Sequence, residues 1–207
     1  MNILTIDTSS PWDSFTLYAE GEGELLNKKF PPSDFRSEAL IKEIEMGIKS
    51  LSFDMKDIDI IGVCIGPGSY TGTRIGVAAG MGIAQGLGIP LCGVNVLEIL
   101  AYSQKNQEKT IFSFMESKNS EIYYGEYRFI KDKMVTIKDI SKTSSKVFID
   151  HINAFEGEKI IIGNSEQNLP FSTISFDNSL TKSHLMSRIL SCNNTKIYEK
   201  ALDLFYC

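Results

Sequence analysis

The sequence predicts an α/β fold built in layers, and three observations predict it. A meander of three short strands opens the chain. A helix, a strand, a turn-rich loop, a long helix-like stretch and another strand follow. After a polar break the strands begin again. A length of 207 residues suits one large domain or two small ones.

In chain order, residues 2–7 form a short apolar strand that ends in the polar turn Asp7-Thr8-Ser9-Ser10-Pro11. Residues 14–19 set Phe15, Leu17 and Ala19 against Ser14, Thr16 and Tyr18, the period of a strand. Glu20-Gly21-Glu22-Gly23 is a turn, and residues 25–30 return as a third strand. Pro31-Pro32 ends that unit. Leu40, Ile41, Ile44, Ile48 and Leu51 then recur at helical spacing, which predicts a helix over about 34–51 with Ser33 as its N-cap. Glu38/Lys42 and Glu45/Lys49 are i,i+4 pairs for its wet face. Residues 58–65 read as a buried strand running into the loop Gly66-Pro67-Gly68-Ser69-Tyr70-Thr71-Gly72, and a helix continues to about Leu87. Another strand and turn span 89–96, and Leu97–Tyr102 begins a further helix.

Residues 104–109 are polar and mark the boundary between a lobe over 1–106 and a smaller lobe over 107–207, whose last segment can pack back on the first. Strands are expected over 111–115, 121–130 and 134–137, with Lys131-Asp132-Lys133 as a turn. A buried strand at 159–163 and a short helix at 183–191 follow, while 139–145 is too polar and serine-rich to assign. The second half repeats the strands-first plan of the first without a repeat in the sequence itself.

Composition narrows the function. Hydrophobic residues at 43%, charged residues at 23% and a mean hydropathy of -0.06 describe a soluble globular chain and exclude intrinsic disorder. The net charge is -5, and only four of the 21 basic residues are arginines (Arg36, Arg74, Arg128, Arg188). Arginine is the better fork for phosphate, so the chain is a poor candidate for holding nucleic acid alone. The N-terminus has no basic region and meets Asp7 early, so it does not read as a signal peptide. Cys64, Cys92, Cys192 and Cys207 form no CxxC pair and read as reduced packing thiols of a cytoplasmic protein. Two histidines, His151 and His184, lie far apart and argue against a zinc enzyme. No Ser/His/Asp or Cys/His constellation can be read from the spacing, and no metal site is expected.

The informative region lies between Asp59 and Glu98, where Arg74 is the only charged side chain and ten of the 16 glycines fall between Gly62 and Gly93. Pro90, Gln85, Asn95 and the glycines break the ~20-residue apolar run a membrane span needs. A phosphate cradle would use Asp7, Ser9, Gly66, Gly68 and Ser69, but Gly66-x-Gly68-x-x-x-Gly72 is one residue too long for a dinucleotide fingerprint and lacks the Lys-Ser/Thr of a P-loop. The alternative is a tight turn that brings helix and sheet close. Asp7 likewise divides between holding a metal-bound phosphate and making an Asx or ST turn, and spacing favours the turn. Glu116-Ser117-Lys118 is read as a solvated turn and Trp12 as packing.

Gly72, Gly76 and Gly80 recur every four residues, as do Gly82 and Gly86. Each interior helical glycine costs about 1 kcal/mol against alanine, so a close contact must compensate. That contact is either the chain's own sheet or another subunit, and the second reading is taken forward.

Ile3-Leu4-Thr5-Ile6-Asp7-Thr8-Ser9, Gly66-Pro67-Gly68-Ser69-Tyr70-Thr71-Gly72-x-Arg74-Ile75-Gly76 and Ile89-Pro90-Leu91-x-Gly93-Val94 together resemble the TsaB (YeaZ) family. The resemblance is strong over about residues 1–100 and weaker beyond, where residues 121–127 and 160–163 match in character and order. It implies an actin-like/Hsp70-like/sugar-kinase (ASKHA) fold of two similar lobes, each with a mixed sheet and helices. It also implies a non-catalytic subunit that binds a TsaD-like transferase in forming threonylcarbamoyladenosine next to the tRNA anticodon. A TsaE-like ATPase belongs to that complex, tRNA is met only through it, and the free chain is a homodimer. No cofactor is implied for the chain itself, and a nucleotide at the complex interface stays open. The partner face would carry Arg36, Leu40, Gly72, Arg74, Gly76 and Gly80. Family members often have His-Ser or His-Thr where this chain has Arg36-Ser37, and many continue further past the segment that here holds Ile197-Tyr198. The competing reading is an ATP-binding kinase or ATPase of the same fold, for which the second lobe offers no Asp-Gly-Gly phosphate loop. A glycoprotease is opposed by the missing metal ligands.

Overall fold

Alternation along the first strands decides which face of the sheet is oily and which is not. The structure, a computed structural model, describes residues 1–105, 108–164, 169–175 and 181–192. Its elements are β1 (Asn2–Asp7), β2 (Asp13–Ala19), β3 (Gly23–Phe30), α1 (Arg36–Ser50), β4 (Ile60–Cys64), α2 (Tyr70–Leu87), β5 (Leu91–Val94), α3 (Val96–Tyr102), β6 (Thr110–Glu116), β7 (Glu121–Ile130), β8 (Lys133–Ser144), α4 (Ser145–Ala154), β9 (Lys159–Asn164) and α5 (Lys182–Cys192).

Two compact units result. The first holds Met1–Val96 and the later segment that carries α5; the second begins at Leu97 and runs through β9. The division thus falls ahead of the polar stretch 104–109.

The first sheet has the order β3-β2-β1-β4-β5. β1 pairs antiparallel with β2 and parallel with β4, so Leu4 lies opposite Leu17 and Ile61, and Ile6 opposite Phe15 and Val63. These residues form one core with Leu40, Ile44 and Ile48 of α1 and Val77 and Ala84 of α2. Each of the larger side chains among them contributes about 1.5–3 kcal/mol by leaving water. The other face carries Thr5, Thr16 and Gly62 in register. It is not wet, because α5 lies on it. Thr5 Oγ1 donates to the Ser183 carbonyl at 2.6 Å, and the Thr16 and Ser183 hydroxyls are 3.0 Å apart. Thr181 Oγ1 donates to Asn27 Oδ1 at 2.7 Å. A Cβ on Gly62 would sit 2.6 Å from Leu190 Cδ1, so only glycine admits the helix there.

The second sheet has the order β8-β7-β6-β9. β6 pairs antiparallel with β7 and parallel with β9, as β1 does with β2 and β4. Ile174 makes a single parallel bridge to Ile162 of β9, the place β5 takes beside β4 in the first sheet. The duplication unseen in the sequence is therefore plain in the topology. Phe112, Phe114, Ile122, Tyr124, Phe148, Ile152 and Ile161 make this unit's core.

Several expectations are corrected. Ser33 does not cap α1; Phe35 holds that position without a side-chain bond. The unassigned residues 139–145 continue β8 through Ser144, whose hydroxyl accepts from the Val147 N–H to start α4, a helix the sequence reading missed. Cys207 and Ile197-Tyr198 lie outside the described residues. Among those described, no helix is long and apolar enough to cross a membrane.

Candidate functional site

The end of β1 and the glycine loop before α2 interlock. Asp7 is buried, and its Oδ1 accepts from the Ser9 N–H at 2.9 Å and the Ser9 hydroxyl at 2.6 Å, while Oδ2 accepts from Ser10 Oγ at 3.0 Å. This is the Asx/ST turn. Across from it, the Ser69 N–H donates to the Ser9 carbonyl at 3.0 Å, and Ser69 Oγ accepts from the Gly72 N–H at 3.2 Å as N-cap of α2. Gly66 has φ of +88° and its carbonyl accepts from the Val96 N–H at 2.7 Å. A Cβ on Gly68 would stand 2.7 Å from the Ser9 carbonyl oxygen. The groups that an anion would use at Ser69 and Gly72 are therefore already bonded within the chain. Asp7, Ser9, Gly66, Gly68 and Ser69 come together as a closed turn whose polar groups are bonded to one another.

Arg36 joins this assembly. Its Nε lies 2.9 Å from each oxygen of buried Asp13, Nη2 also bonds Asp13, and Nη2 donates to the Thr8 carbonyl at 2.8 Å. The side chain is only 16% exposed. Arg36 thus ties the start of α1 to the turn after β1 instead of facing a partner.

The glycine ridge is corrected in the same way. A Cβ at Gly72 would meet the Thr8 carbonyl oxygen at 2.0 Å, one at Gly76 the Thr8 hydroxyl at 2.3 Å, and one at Gly80 a Val63 methyl at 2.3 Å. These three glycines exist because α2 lies directly on β1 and β4, and Leu40 is fully buried in the same core. Arg36, Leu40, Gly72, Gly76 and Gly80 therefore serve the fold. Gly82 and Gly86, by contrast, have nothing within 4 Å.

Of the proposed partner face only Arg74 points outward. It lies on the exposed side of α2, its guanidinium 3.9 Å from the centre of the Tyr70 ring. Beside it Ser37, Ile41, Tyr70, Thr71, Arg74, Ile75, Ala78 and Ala79 line an apolar surface groove of about 390 Å³ between α1 and α2. Tyr70 is 50% exposed and Met81 52%, on the same helix face as Ala78. The missed signal was available. Positions 70, 74, 78 and 81 lie opposite the glycines on a helical wheel, and apolar residues there are not needed by a lone subunit.

The remaining chemical groups are engaged singly. His151 Nε2 lies 2.7 Å from Glu126 Oε1, and His184 Nδ1 bonds Glu24. Cys64 donates to Ser9 Oγ at 3.3 Å, and burial above all, then the Asp7 charge, pushes its thiol up to about 12. Burial does the same to Cys92. Ser117 N–H closes a tight turn on the Glu121 carbonyl at 2.8 Å, and Trp12 is 48% exposed beneath Lys29. No group of three or more His, Cys, Asp or Glu is placed to hold a metal among the described residues.

The mixed sheet with β1 at its centre, the meander on one side, the parallel strands on the other and helices on both faces define an ASKHA-type protein of two units. The family model described as TsaD, tRNA N6-adenosine threonylcarbamoyltransferase, matches residues 33–202. The chain belongs to this family, on its TsaB (YeaZ) branch. The Buchnera aphidicola (Schizaphis graminum) tRNA threonylcarbamoyladenosine biosynthesis protein TsaB is 26% identical over 195 residues, covering 82% of this chain and 91% of that protein. The Escherichia coli protein of the same name is 28% identical over 132 residues, 62% of this chain and 55% of its own length. A Pseudomonas aeruginosa crystal structure, described as similar to peptidase YEAZ, shares the fold with a TM-score of 0.77 over 99% of this chain and 98% of that one, at 20% identity.

Proposed function

We propose that the chain is the non-catalytic partner subunit of a TsaD-like transferase that forms threonylcarbamoyladenosine on tRNA, working in the cytoplasm beside a TsaE-like ATPase. The observation that carries this reading is the apolar groove between α1 and α2, with Tyr70, Ile41, Ala78 and Arg74 on its rim. Exposed apolar surface of this kind costs free energy in a lone subunit and is recovered when a partner helix fills it. The same face would join two copies of the free chain, so homodimer and heterocomplex compete for it. Supporting the absence of chemistry, both histidines are held by glutamates, and Asp7 is bonded by its own turn.

The test is association with a TsaD-type partner, read by size exclusion. Ala78→Glu places a carboxylate, one helical turn from Arg74, where a partner's apolar surface would have to bury it, and should weaken the complex strongly while the melting temperature stays within about 2 °C. Normal association of this variant would remove the groove from the reading. The isolated chain, given ATP, threonine, bicarbonate and tRNA, should make no modified adenosine. Turnover of ATP by the chain alone would favour the kinase-like reading instead.

A further inference from the structure

Positive charge gathers in one part of this acidic chain. From Arg128 to Lys146 there are six basic side chains (Arg128, Lys131, Lys133, Lys138, Lys142, Lys146) and two acidic ones, Asp132 and Asp139, while the whole chain carries -5. They follow β8, the outer strand of its sheet, bonded on one side only to β7. Twelve residues make that edge about 40 Å long at ~3.3 Å per residue. Lys131 and Lys133 stand at the hairpin end and Lys146 in the first turn of α4 at the other, all exposed.

Two of the neighbouring acids are matched, while Asp132, Asp139 and Asp150 stand exposed beside the lysines. Glu121 pairs with Lys142, and Glu126 pairs with His151. Lys138 rests on Tyr124, its ammonium 4.6 Å from the ring centre. Among the described residues no ion pair within 4.0 Å holds Lys131, Lys133 or Lys146, and with Asp132, Asp139 and Asp150 counted the stretch from Arg128 to Asp150 still carries a formal excess of positive charge. Lysines also guard sheet edges against strand pairing. That role does not reach Arg128, which lies on β7, Lys131 in the turn, or Lys146 in a helix.

We infer that the β8 edge, with Lys131, Lys133 and Lys146 at its ends, is a contact surface for the phosphodiester backbone of RNA. The inference rests on the reading that the chain belongs to a tRNA-modifying complex. Lysine is a point charge without a fork, so the contact reads no sequence; it adds affinity by releasing counterions. A line of separated cations suits a long polyanion better than a compact acidic ligand. In the complex this surface would add to whatever contacts the transferase makes.

The test uses the full chain and fluorescent tRNA, with anisotropy measured from about 0.02 to 0.15 M salt, because charges act over roughly 20–30 Å at the low end and about 8 Å at the high end. The chain should bind at low salt, with log affinity falling against log salt at a slope of about -2 to -3, and release the RNA near 0.15 M. The triple variant K131A/K133A/K146A should bind more than about tenfold more weakly at 0.02 M and lose about two units of slope. Lys56→Ala, an exposed lysine of the first unit, should change neither.

No binding at 0.02 M, or equal slopes for wild type and triple variant, overturns the inference. So does a triple variant that self-associates with unchanged RNA affinity, which would make the lysines edge guards. Tighter binding of poly-glutamate than of tRNA would transfer the surface to an acidic protein. The triple variant should still join the transferase-type partner on size exclusion, so failure of the RNA contact and failure of the partner reading give different results.

Discussion

Replacing Gly80 and Gly82 separately by alanine isolates what the α2 glycines do. Both lie in one helix, so both substitutions gain about the same helix propensity, ~1 kcal/mol, and that gain cancels when the two variants are compared. What remains is the contact. A Cβ at Gly80 lies 2.3 Å from Val63 Cγ1, with Ile61 and Leu91 methyls at 3.3 and 3.4 Å, whereas at Gly82 it enters open space. Ordinary carbon contacts sit at about 3.5–4.0 Å, so α2 must retreat from β4 by more than ~1 Å, loosening Val77 and Ala84 as well. Overpacking of this kind costs about 1–3 kcal/mol. Gly82→Ala should therefore melt higher than wild type and Gly80→Ala lower, their transitions separated by several degrees at about 2–4 °C per kcal/mol. Circular dichroism melts of the two variants and of wild type give the answer. Equal melting temperatures for both would refute the placement of α2 on β4.

Two further outcomes follow from buried groups. Arg36→Ala should destabilise by about 3–5 kcal/mol in urea titration, because it strands the Asp13 carboxylate, which is 1% exposed, and Asp13→Asn in the same chain should recover part of the loss. Cys64 and Cys92 are held protonated by burial, with the folded values raised from 9.0 to about 12. The unfolded chain gives up these protons first, so the stability they protect is whole below pH 9 and lost progressively from 9 to 12, and Cys64→Ser together with Cys92→Ser should flatten that limb of a denaturation-versus-pH curve.

How much could be read beforehand depended on where the causes lay. Strand alternation in β1 and β2 and the helical spacing of Leu40, Ile44 and Ile48 are local, and the elements they predict are present with ends shifted by a residue or two. The glycine spacing correctly announced a close contact, but a one-dimensional pattern does not say what makes it. Thr8 and Val63, the atoms that decide, lie far from Gly76 and Gly80 in sequence. Arg36 was misplaced for the same reason, since its partner Asp13 belongs to another element. The alternation of Thr16 with Phe15 and Leu17 does not say what covers the threonine side, and only α5, arriving more than 160 residues after Thr16, makes that face interior. The helix α4 was hidden because its cap, Ser144, ends a serine-rich strand that resembles a loop.

The discontinuity of the first unit gives the chain a timetable. Synthesis delivers the sheet's five strands by Val94 and only later α5, which begins at Lys182. At ~5–20 residues per second, the intervening stretch of roughly 85 residues takes on the order of 5–15 s to make. For that interval the nascent sheet waits with one face uncovered, and the centre of that face is Thr5, Thr16 and Gly62 instead of leucines. Hydroxyls can keep company with water during the wait and exchange it for Ser183 when the helix arrives. Beside Ile3 and Ile60 on the same face, these hydroxyls thus reduce the apolar surface left uncovered until α5 is made.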